Sequence, residues 1–424
     1  MKRSFLLFST IFFVFLLNAQ VSKKDIFENV YCSAGNYYAY PEPKDVKLTP
    51  APSGYKPFYI STYARHGSRF LISPNDYLMP SRTLKEAKKN GVLSPLGEKV
   101  LCIVDSMARM ADMRYGELTP LGARQHHGIA NRMFHNFPEV FKGNAEIDAR
   151  STVVIRCILS MMAECEELKA LNPNLRITND ASYSDMYYMN YSDKYFDSLQ
   201  KNPKASEPMR KFRNQQIKPS RLMKTLFTND DYVRWKVDSV ELMRTLFDVA
   251  SNMQSHDTDM ELYSIFTKEE CYDMWKMNNA YWYIYGGASD MTDGKAPYIE
   301  ANLLKNILDT ADSCVVKKEN SVTLRFGHES CLLPLACLLE LNNYGYKTGD
   351  LENLDKMWRN YEIFPMACNI QFVFYRKKGN ADILVKVLLN EKEAKLPLDT
   401  DMAPYYHWSD VSDYYRKKLN QFSR

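Results

Sequence analysis

The chain alternates strand-forming runs with long helical intervals, and this order restricts its fold more than any other feature. Runs rich in β-branched and aromatic residues predict strands at Phe58–Ala64, Glu146–Ser151, Ser321–Gly327, Ile370–Arg376 and Asp382–Leu389. The intervals between the runs carry apolar residues at helical spacing. Strands that alternate with helices favour parallel pairing, so the sequence predicts an α/β fold with a largely parallel central sheet flanked by helices.

Residues 181–300 have a different composition from the rest of the chain. They contain few β-branched runs and many Tyr, Met, Trp and charged residues. Thr267 and Glu270 have the spacing of a capping box, which predicts the start of a helix. We therefore expect residues 181–300 to form a helical cap insertion, and residues 21–180 and 301–424 to form the α/β core.

The first twenty residues, MKRSFLLFSTIFFVFLLNAQ, have the pattern of a secretory signal. A basic start precedes an apolar run, and Ala19 lies where small residues precede cleavage. The apolar run is short for a membrane span. The sequence predicts an exported protein that is periplasmic, surface-associated or secreted, with no membrane span after cleavage.

The cysteine content and the net charge exclude few classes of function. The nine cysteines include no CxxC pair, so we expect no zinc site, and an odd count leaves at least one thiol without a partner in the chain. The formal net charge of +4 is small for 424 residues, so global charge does not indicate a partner.

Polar residues that suit phosphate chemistry follow three of the predicted strands. Open parallel sheets bind ligands beyond the carboxyl ends of their strands, so we expect these side chains to converge. They are Arg65, His66, Arg69, Arg150, Arg156, His328 and Glu329.

These residue types suit phosphoryl transfer. Guanidinium groups bind phosphate oxygens in a forked geometry, a histidine can attack phosphorus, and a carboxylic acid can protonate the leaving oxygen. Alone, an Arg-His-Gly sequence is more often a solvated loop than a catalytic one.

Four ordered segments resemble motifs of the histidine acid phosphatases, the acid-phosphatase and phytase branch of the histidine phosphatase superfamily. RHGSR resembles the RHGxRxP signature, LTPLGARQ resembles LTPxGxxQ, and RSTVVIRCILSM resembles RSTxxxRxxxSA. The late segment FGHESCLLPL resembles the GHAExLLPL form of the multiple inositol polyphosphate phosphatases. The resemblance implies a phosphoglycerate-mutase-like fold that needs neither a metal nor another cofactor.

The resemblance also implies roles for the matching residues. His66 would be the nucleophile that forms a phosphohistidine, and His328 would donate to the phosphoryl group. Phosphate-binding roles fall to Arg65, Arg69 and Arg156, with Arg150 in support. Arg150 is equally compatible with an ion pair to a nearby carboxylate.

The sequence departs from the family pattern at two places. Leu71 stands where the signature has proline, which affects the turn and not the chemistry. His328 is followed by Glu329 and Ser330, where the family has His-Asp or His-Ala-Glu. Glu329 is the candidate proton donor, and the alternative is that it only pairs with the arginines.

A basic segment runs from Lys194 to Lys224. Its nine Lys and Arg residues are opposed only by Asp197 and Glu207. The segment is compatible with a solvated helix face, or with a surface that binds the other phosphates of a polyphosphorylated substrate. It is also the only support for nucleic-acid binding, which we do not expect.

We interpret the chain as a histidine acid phosphatase that hydrolyses inositol polyphosphates, with phytate as the leading substrate. Two alternatives remain open at this point. One is a broad-specificity acid phosphatase, and the other is a catalytically silent protein that binds inositol phosphates without turnover. The expected partner is a small-molecule phosphate ester, and the sequence does not indicate an oligomeric state.

Overall fold

The structure is a computed structural model that describes residues 21–44, 46–317 and 319–423. The predicted secretory signal, residues 1–20, lies outside the described residues. Within the described ranges, no helix combines the length and the apolar character needed to cross a bilayer. All nine cysteines are free thiols, and eight of them are buried.

A single mixed sheet forms the centre of the molecule. Its strands, in chain order, are β1 (Tyr55–Arg65), β2 (Glu146–Ser151), β3 (Arg176–Asp180), β4 (Ser321–Gly327), β5 (Asn369–Lys377), β6 (Ile383–Leu389), β7 (Lys392–Glu393) and β8 (Tyr406–His407). The spatial order is β3-β2-β4-β1-β5-β6-β7, and β8 pairs with β6. β3, β2, β4 and β1 pair in parallel, which confirms the predicted parallel core.

The remaining pairings are antiparallel, and for β5 and β6 the reason lies in the chain length between them. β5 pairs antiparallel with β1 and with β6. Only residues 378–382 separate β5 from β6. A parallel crossover needs a dozen or more residues, so this short connection permits only a hairpin.

Helices cover both faces of the sheet and extend beyond it. The helices of seven residues or more are Pro74–Lys89, Pro95–Ala111, Pro120–Asn136, Ile155–Leu171, Lys194–Lys201, Pro203–Gln216, Ser220–Leu226, Asp230–Lys236, Ser239–Met253, Lys268–Gly286, Ala301–Val315, Glu329–Leu338 and Trp408–Asn420. Shorter helices lie at Met186–Met189 and Asn360–Ile363, and residues 21–28 are also helical.

The two faces of the sheet bury separate apolar clusters. Ile60 and Ala64 of β1 pack into a cluster with helices Pro120–Asn136 and Ile155–Leu171. Tyr59 and Tyr63 belong to the cluster on the other face, which includes the helix Glu329–Leu338. This alternation follows from the two-residue period of a strand. Residues at the carboxyl ends of the strands remain free to be polar.

Residues 181–300 form helices and short 3₁₀ turns without a sheet strand among them. The capping box expected at Thr267 and Glu270 is present at the start of the helix Lys268–Gly286. A third apolar cluster joins these helices to the two helices within 74–111. The division of the chain at residues 181 and 300 therefore stays a prediction.

Candidate active site

The catalytic motifs meet where β1 and β4 end. Arg65 of β1 is in register with Gly327 of β4, so His66 and His328 leave neighbouring strands at the same edge. The two imidazole rings lie edge to face with centroids 5.7 Å apart. The parallel pairing therefore brings together residues that are more than 260 positions apart in the chain.

Two glycines allow the loop after β1 to touch the helix Pro120–Asn136. A Cβ atom on Gly67 would lie 2.3 Å from the carbonyl oxygen of Gly122, and one on Gly122 would lie 2.3 Å from that of Ser68. The amide side chain of Gln125 accepts a hydrogen bond from the Ser68 N–H and donates one to its hydroxyl. The LTPLGARQ segment thus fixes the loop and takes no direct part in the chemistry.

His66 is fully buried, and its hydrogen bond defines the tautomer. Nδ1 lies 2.9 Å from the carbonyl oxygen of Gly67 and must carry the proton, because a carbonyl oxygen only accepts. Nε2 then presents a lone pair, and it has no hydrogen-bond partner among the described residues. Burial lowers the pKa of His66 well below its ordinary value, which keeps the imidazole neutral although Glu329 opposes the shift.

Arg65 is held rigidly beside His66. Its Nη1 donates to the carbonyl oxygens of Asn36 at 2.8 Å and Phe364 at 2.9 Å. Its Nη2 lies 3.1 Å from Oε1 of Glu329. Burial lowers the pKa of Arg65, although Glu329 opposes that shift.

Arg69 and Arg156 complete the basic cluster. Nη1 of Arg69 donates to the carbonyl oxygen of Phe70, and its Nη2 lies 3.7 Å from Oε1 of Glu329. Arg156 lies in the first turn of the helix Ile155–Leu171, and its Nη1 donates to the carbonyl oxygen of Gly116 at 3.4 Å. Burial, followed by the charge of Arg69, lowers the pKa of Arg156.

Several guanidinium nitrogens in this cluster are buried without hydrogen-bond acceptors among the described residues. They are Nε of Arg65, Nε of Arg69 and Nε of Arg156, and Nη2 of Arg65 has only its ion pair with Glu329. Buried N–H groups without acceptors are costly, and three guanidinium groups repel one another. An anion with several oxygens would satisfy these donors and offset the repulsion, so the cluster is suited to a phosphoryl group.

Glu329 is the single carboxylate in contact with this cluster among the described residues. Its Oε2 lies 3.5 Å from Nε2 of His66, and its Oε1 faces Arg65 and Arg69. Burial acts to raise the pKa of Glu329, but the charge of Arg65, supported by that of Arg69, outweighs burial and holds the pKa well below its usual value. The carboxyl group is therefore ionised before an anionic ligand competes for the arginines.

His328 lies behind Glu329 and caps the helix Glu329–Leu338. Its Nε2 is 3.3 Å from the hydroxyl of Thr152. Burial lowers the pKa of His328 to about 4, so the ring is neutral and can donate through one N–H.

A metal ion could be considered at this position, because ligand atoms of His66, His328 and Glu329 lie within 4.8 Å of one another. The same atoms are surrounded by the guanidinium groups of Arg65, Arg69 and Arg156. A cation bound there would face three positive charges at short range in a buried site. The residues present therefore fit an anion better than a metal.

The structure does not bring Arg150 into the cluster. Its side chain pairs with Asp148 at 2.9 Å, Asp180 at 2.9 Å and Asp185 at 3.7 Å. β2 alternates its side chains between the faces, and Ala149 packs in the apolar cluster on the opposite face from Arg150. Three carboxylates engage this arginine, and the expected supporting role in phosphate binding does not follow from its position.

The amino-terminal segment contributes to the cluster in a way that the sequence did not predict. Asn36 supplies a carbonyl oxygen to Arg65, and the ring of Tyr37 lies 5.4 Å from the guanidinium carbon of Arg69. Burial raises the pKa of Tyr37 to about 12, so the phenol stays neutral beside the cation. Both residues come from an irregular Tyr-rich segment that carries no motif, so no sequence signal pointed to them.

A cavity of about 710 Å³ adjoins the cluster. Asn36 and Tyr37 form part of its wall, which places it next to Arg65 and Arg69. Its wall also includes Lys201, Arg210, Arg213, Arg244, Asp248, Tyr281, Trp282 and Tyr285. The cavity therefore combines basic, aromatic and acidic side chains.

Part of the basic segment at 194–224 faces this cavity, and part is paired at the surface. Lys201, Arg210 and Arg213 line the cavity. Three other members pair with acidic residues, namely Lys204 with Asp293, Lys218 with Asp273, and Arg221 with Glu270.

The fold resembles solved phosphatase structures over most of the chain. A multiple inositol polyphosphate phosphatase from Bifidobacterium longum, solved with inositol hexasulfate, aligns with a TM-score of 0.76 and 18% identity, covering 91% of this chain and 97% of that one. A phytase from D. castellii aligns with a TM-score of 0.64 and 14% identity, covering 93% and 86% of the two chains.

Sequence comparison agrees with the structural likeness. Multiple inositol polyphosphate phosphatase 1 of Gallus gallus is 22% identical over 334 residues, which is 71% of this chain and 69% of that protein. Residues 64–390, more than half of the chain, match the histidine phosphatase superfamily (branch 2). The matched range contains His66, His328 and every arginine of the cluster, so the chain belongs to branch 2 of the histidine phosphatase superfamily.

Proposed function

We propose that the protein hydrolyses inositol polyphosphates, with phytate as the leading substrate, through a phosphohistidine formed on His66. The observation that carries the proposal is the set of buried guanidinium N–H groups without acceptors around Nε2 of His66. A phosphoryl group placed among these donors would lie against the nitrogen lone pair, as nucleophilic attack requires.

The reaction would proceed in two displacements. Nε2 of His66 attacks phosphorus, the bond from phosphorus to the ester oxygen breaks, and Glu329 gives a proton to the leaving alkoxide. Water then attacks the phosphorus of the phosphohistidine and passes a proton to the Glu329 carboxylate, while the bond from phosphorus to Nε2 breaks. Phosphate is released and both residues are restored. Arg65, Arg69 and Arg156 stabilise the charge that develops on the phosphoryl oxygens.

Substrate binding would cause Glu329 to take up from solvent the proton that it lacks in the free protein. Without a ligand, the arginines hold this carboxyl group ionised. A phosphate group competes for Arg65 and Arg69 and adds negative charge beside the carboxylate. Both effects raise its pKa, because a like charge nearby disfavours the ionised form.

The adjoining cavity supports a polyphosphorylated substrate over a small ester. Lys201, Arg210 and Arg213 place positive charge along its wall, where phosphates that do not react could bind. The Bifidobacterium longum structure holds inositol hexasulfate, a polyanion of the same shape. A broad acid phosphatase would gain nothing from such charges, and a silent binding protein would not need a neutral buried His66.

Export and domain division belong to the same proposal. The segment of residues 1–20 would direct the chain out of the cytoplasm, and phytate is a substrate that an exported enzyme could meet. We further propose that residues 181–300 act as a cap that carries part of the substrate-binding wall, over a core formed by residues 21–180 and 301–424.

The decisive test is phosphate release from phytate and from p-nitrophenyl phosphate, compared by kcat/KM between acid and neutral pH. We expect a clear preference for phytate. His66→Ala should remove essentially all turnover of both esters while the melting temperature stays near that of the wild type, and a rapid quench into alkali, in which phosphohistidine is stable, should trap phosphate on His66 of the wild type only. Appreciable turnover by His66→Ala would exclude the phosphohistidine mechanism.

A further inference from the structure

The cavity beside the cluster is not uniformly basic. Its wall includes Arg210 and Arg213 from the helix Pro203–Gln216, and Arg244 and Asp248 from the helix Ser239–Met253. A substrate that enters it therefore meets a carboxylate as well as guanidinium groups.

Arg244 is fully engaged by acidic neighbours and does not offer a free charge to a ligand. Glu241 binds it in a forked geometry, through Nε at 2.9 Å and Nη2 at 2.6 Å. Asp248 accepts from its Nη1 at 2.5 Å. With Asp248 ionised, one guanidinium between two carboxylates leaves this group with a net negative charge, which opposes the binding of a phosphate beside Asp248.

Asp248 is the acidic residue of this group that reaches the cavity. Its side chain is 23% exposed and lines the cavity, whereas Glu241 does not border it. A carboxylate accepts a hydrogen bond from a hydroxyl group but repels a phosphate oxygen. The position therefore distinguishes a free hydroxyl from a phosphate ester.

We propose that Asp248 is a specificity-determining residue that makes the cavity favour an inositol polyphosphate bearing a free hydroxyl over the fully phosphorylated ring. The proposal rests on the proposed function and deepens it. It predicts that ionisation of Asp248 raises kcat/KM for a ring with a free hydroxyl relative to that for phytate, and that phytate is the leading substrate when Asp248 is protonated.

The surroundings of Asp248 make this preference depend on pH. Burial raises its pKa to about 7, Arg244 opposes the shift, and Asp76 of the helix Pro74–Lys89 and Glu241 add to it. Arg210 and Arg213 share the cavity wall, and the neutral phenol of Tyr37 comes from the amino-terminal segment. Above pH 7 the carboxylate is charged and discriminates, and below pH 7 it is protonated and tolerates a phosphate.

The test compares kcat/KM for phytate with kcat/KM for an inositol tetrakisphosphate at pH 6 and pH 8. In the wild type, the ratio of phytate to tetrakisphosphate should fall as the pH rises. Asp248→Asn should raise that ratio about tenfold at pH 8, which corresponds to ~1.4 kcal/mol. It should also remove the fall in that ratio between pH 6 and pH 8.

Glu241→Gln is the matched control, because it removes a charge from the same arginine without bordering the cavity. Its ratio should rise less than that of Asp248→Asn, because Glu241 adds to the negative charge of the group but does not border the cavity. An unchanged ratio in Asp248→Asn, or equal changes in both variants, would overturn the proposal. Melting temperatures establish that each variant is folded.

Calorimetry with inositol hexasulfate separates this proposal from the proposed function. Sulfate esters keep their charge between pH 6 and pH 8, so a change in affinity reports the titration of the protein. Weaker binding at pH 8 in the wild type, absent in Asp248→Asn, supports the role of Asp248 even if no inositol phosphate is hydrolysed. Binding that does not change with pH in the wild type would contradict the titration of Asp248, and equal affinity of the wild type and Asp248→Asn at pH 8 would overturn the proposal.

Discussion

At the scale of single residues, Glu329 must satisfy two opposing conditions. The arginines keep it ionised in the free protein, and the leaving alkoxide needs an acid. Glu329→Gln should slow phytate hydrolysis by roughly 10²–10⁴-fold, the range for loss of a general acid. A p-nitrophenyl ester departs with little protonation and should lose much less. Similar losses for both esters in steady-state kinetics would mean that Glu329 only holds the arginines in place.

The residues of the cluster could be predicted to the extent that each belongs to a motif at a strand end. Arg65, His66 and Arg69 follow β1 in one unbroken signature, and the structure places them together. Arg150 matched its motif equally well, yet its side chain lies on the face of β2 opposite Ala149 and pairs with aspartates. Tyr37 could not be predicted, because its place beside Arg69 depends on how an irregular segment packs.

At the scale of elements, the strands followed from composition because each is buried and bounded by polar residues. β2 and β4 have the bounds predicted from the sequence. β3 was missed because Arg176–Asp180 is polar and mostly exposed at the sheet edge, so it carries no apolar signal. The antiparallel pairing of β6 with β5 could have been inferred from the short connection between them.

The helix Pro203–Gln216 offers a prediction that uses its two faces. Arg210 and Arg213 line the cavity, whereas Lys211 is exposed and does not border it. Replacing both arginines with serine should lower kcat/KM for phytate about tenfold relative to p-nitrophenyl phosphate, because each exposed charge pair contributes up to ~1 kcal/mol. Lys211→Gln is the control on the same helix and should leave the ratio unchanged. Equal losses for both esters would indicate that Arg210 and Arg213 lie on a solvated helix face and do not bind the phosphates of phytate.

At the scale of the whole molecule, the site is assembled from segments that lie far apart in the chain. The amino-terminal segment reaches Arg65 and Arg69, and β1 and β4 carry the two histidines. The helix Ser239–Met253 adds a further tie through Asn252, whose side-chain amide donates to the carbonyl oxygen of Arg69 at 2.8 Å. The same helix carries Asp248, so the cavity wall and the catalytic loop share one rigid element.

Asn252 is fully buried. Its side-chain oxygen Oδ1 accepts hydrogen bonds from the hydroxyl of Tyr77 and from Nε2 of His256. Asn252→Ala would leave buried donors and the Arg69 carbonyl unpaired, at a cost of ~1–3 kcal/mol for each group. We expect a lower melting temperature together with a fall in kcat of up to about 10²-fold, since small shifts of a positioned group slow the chemical step.

A control on the same helix separates this positioning role from general destabilisation. Ser251→Ala removes a buried hydrogen bond from Tyr263 without touching the catalytic loop. It should lower the melting temperature and leave kcat unchanged at a temperature where both variants are folded. If Asn252→Ala changes only the melting temperature, as Ser251→Ala should, then Asn252 stabilises the fold and the position of Arg69 does not depend on it. A fall in kcat confined to Asn252→Ala would establish that the helix Ser239–Met253 positions the catalytic loop.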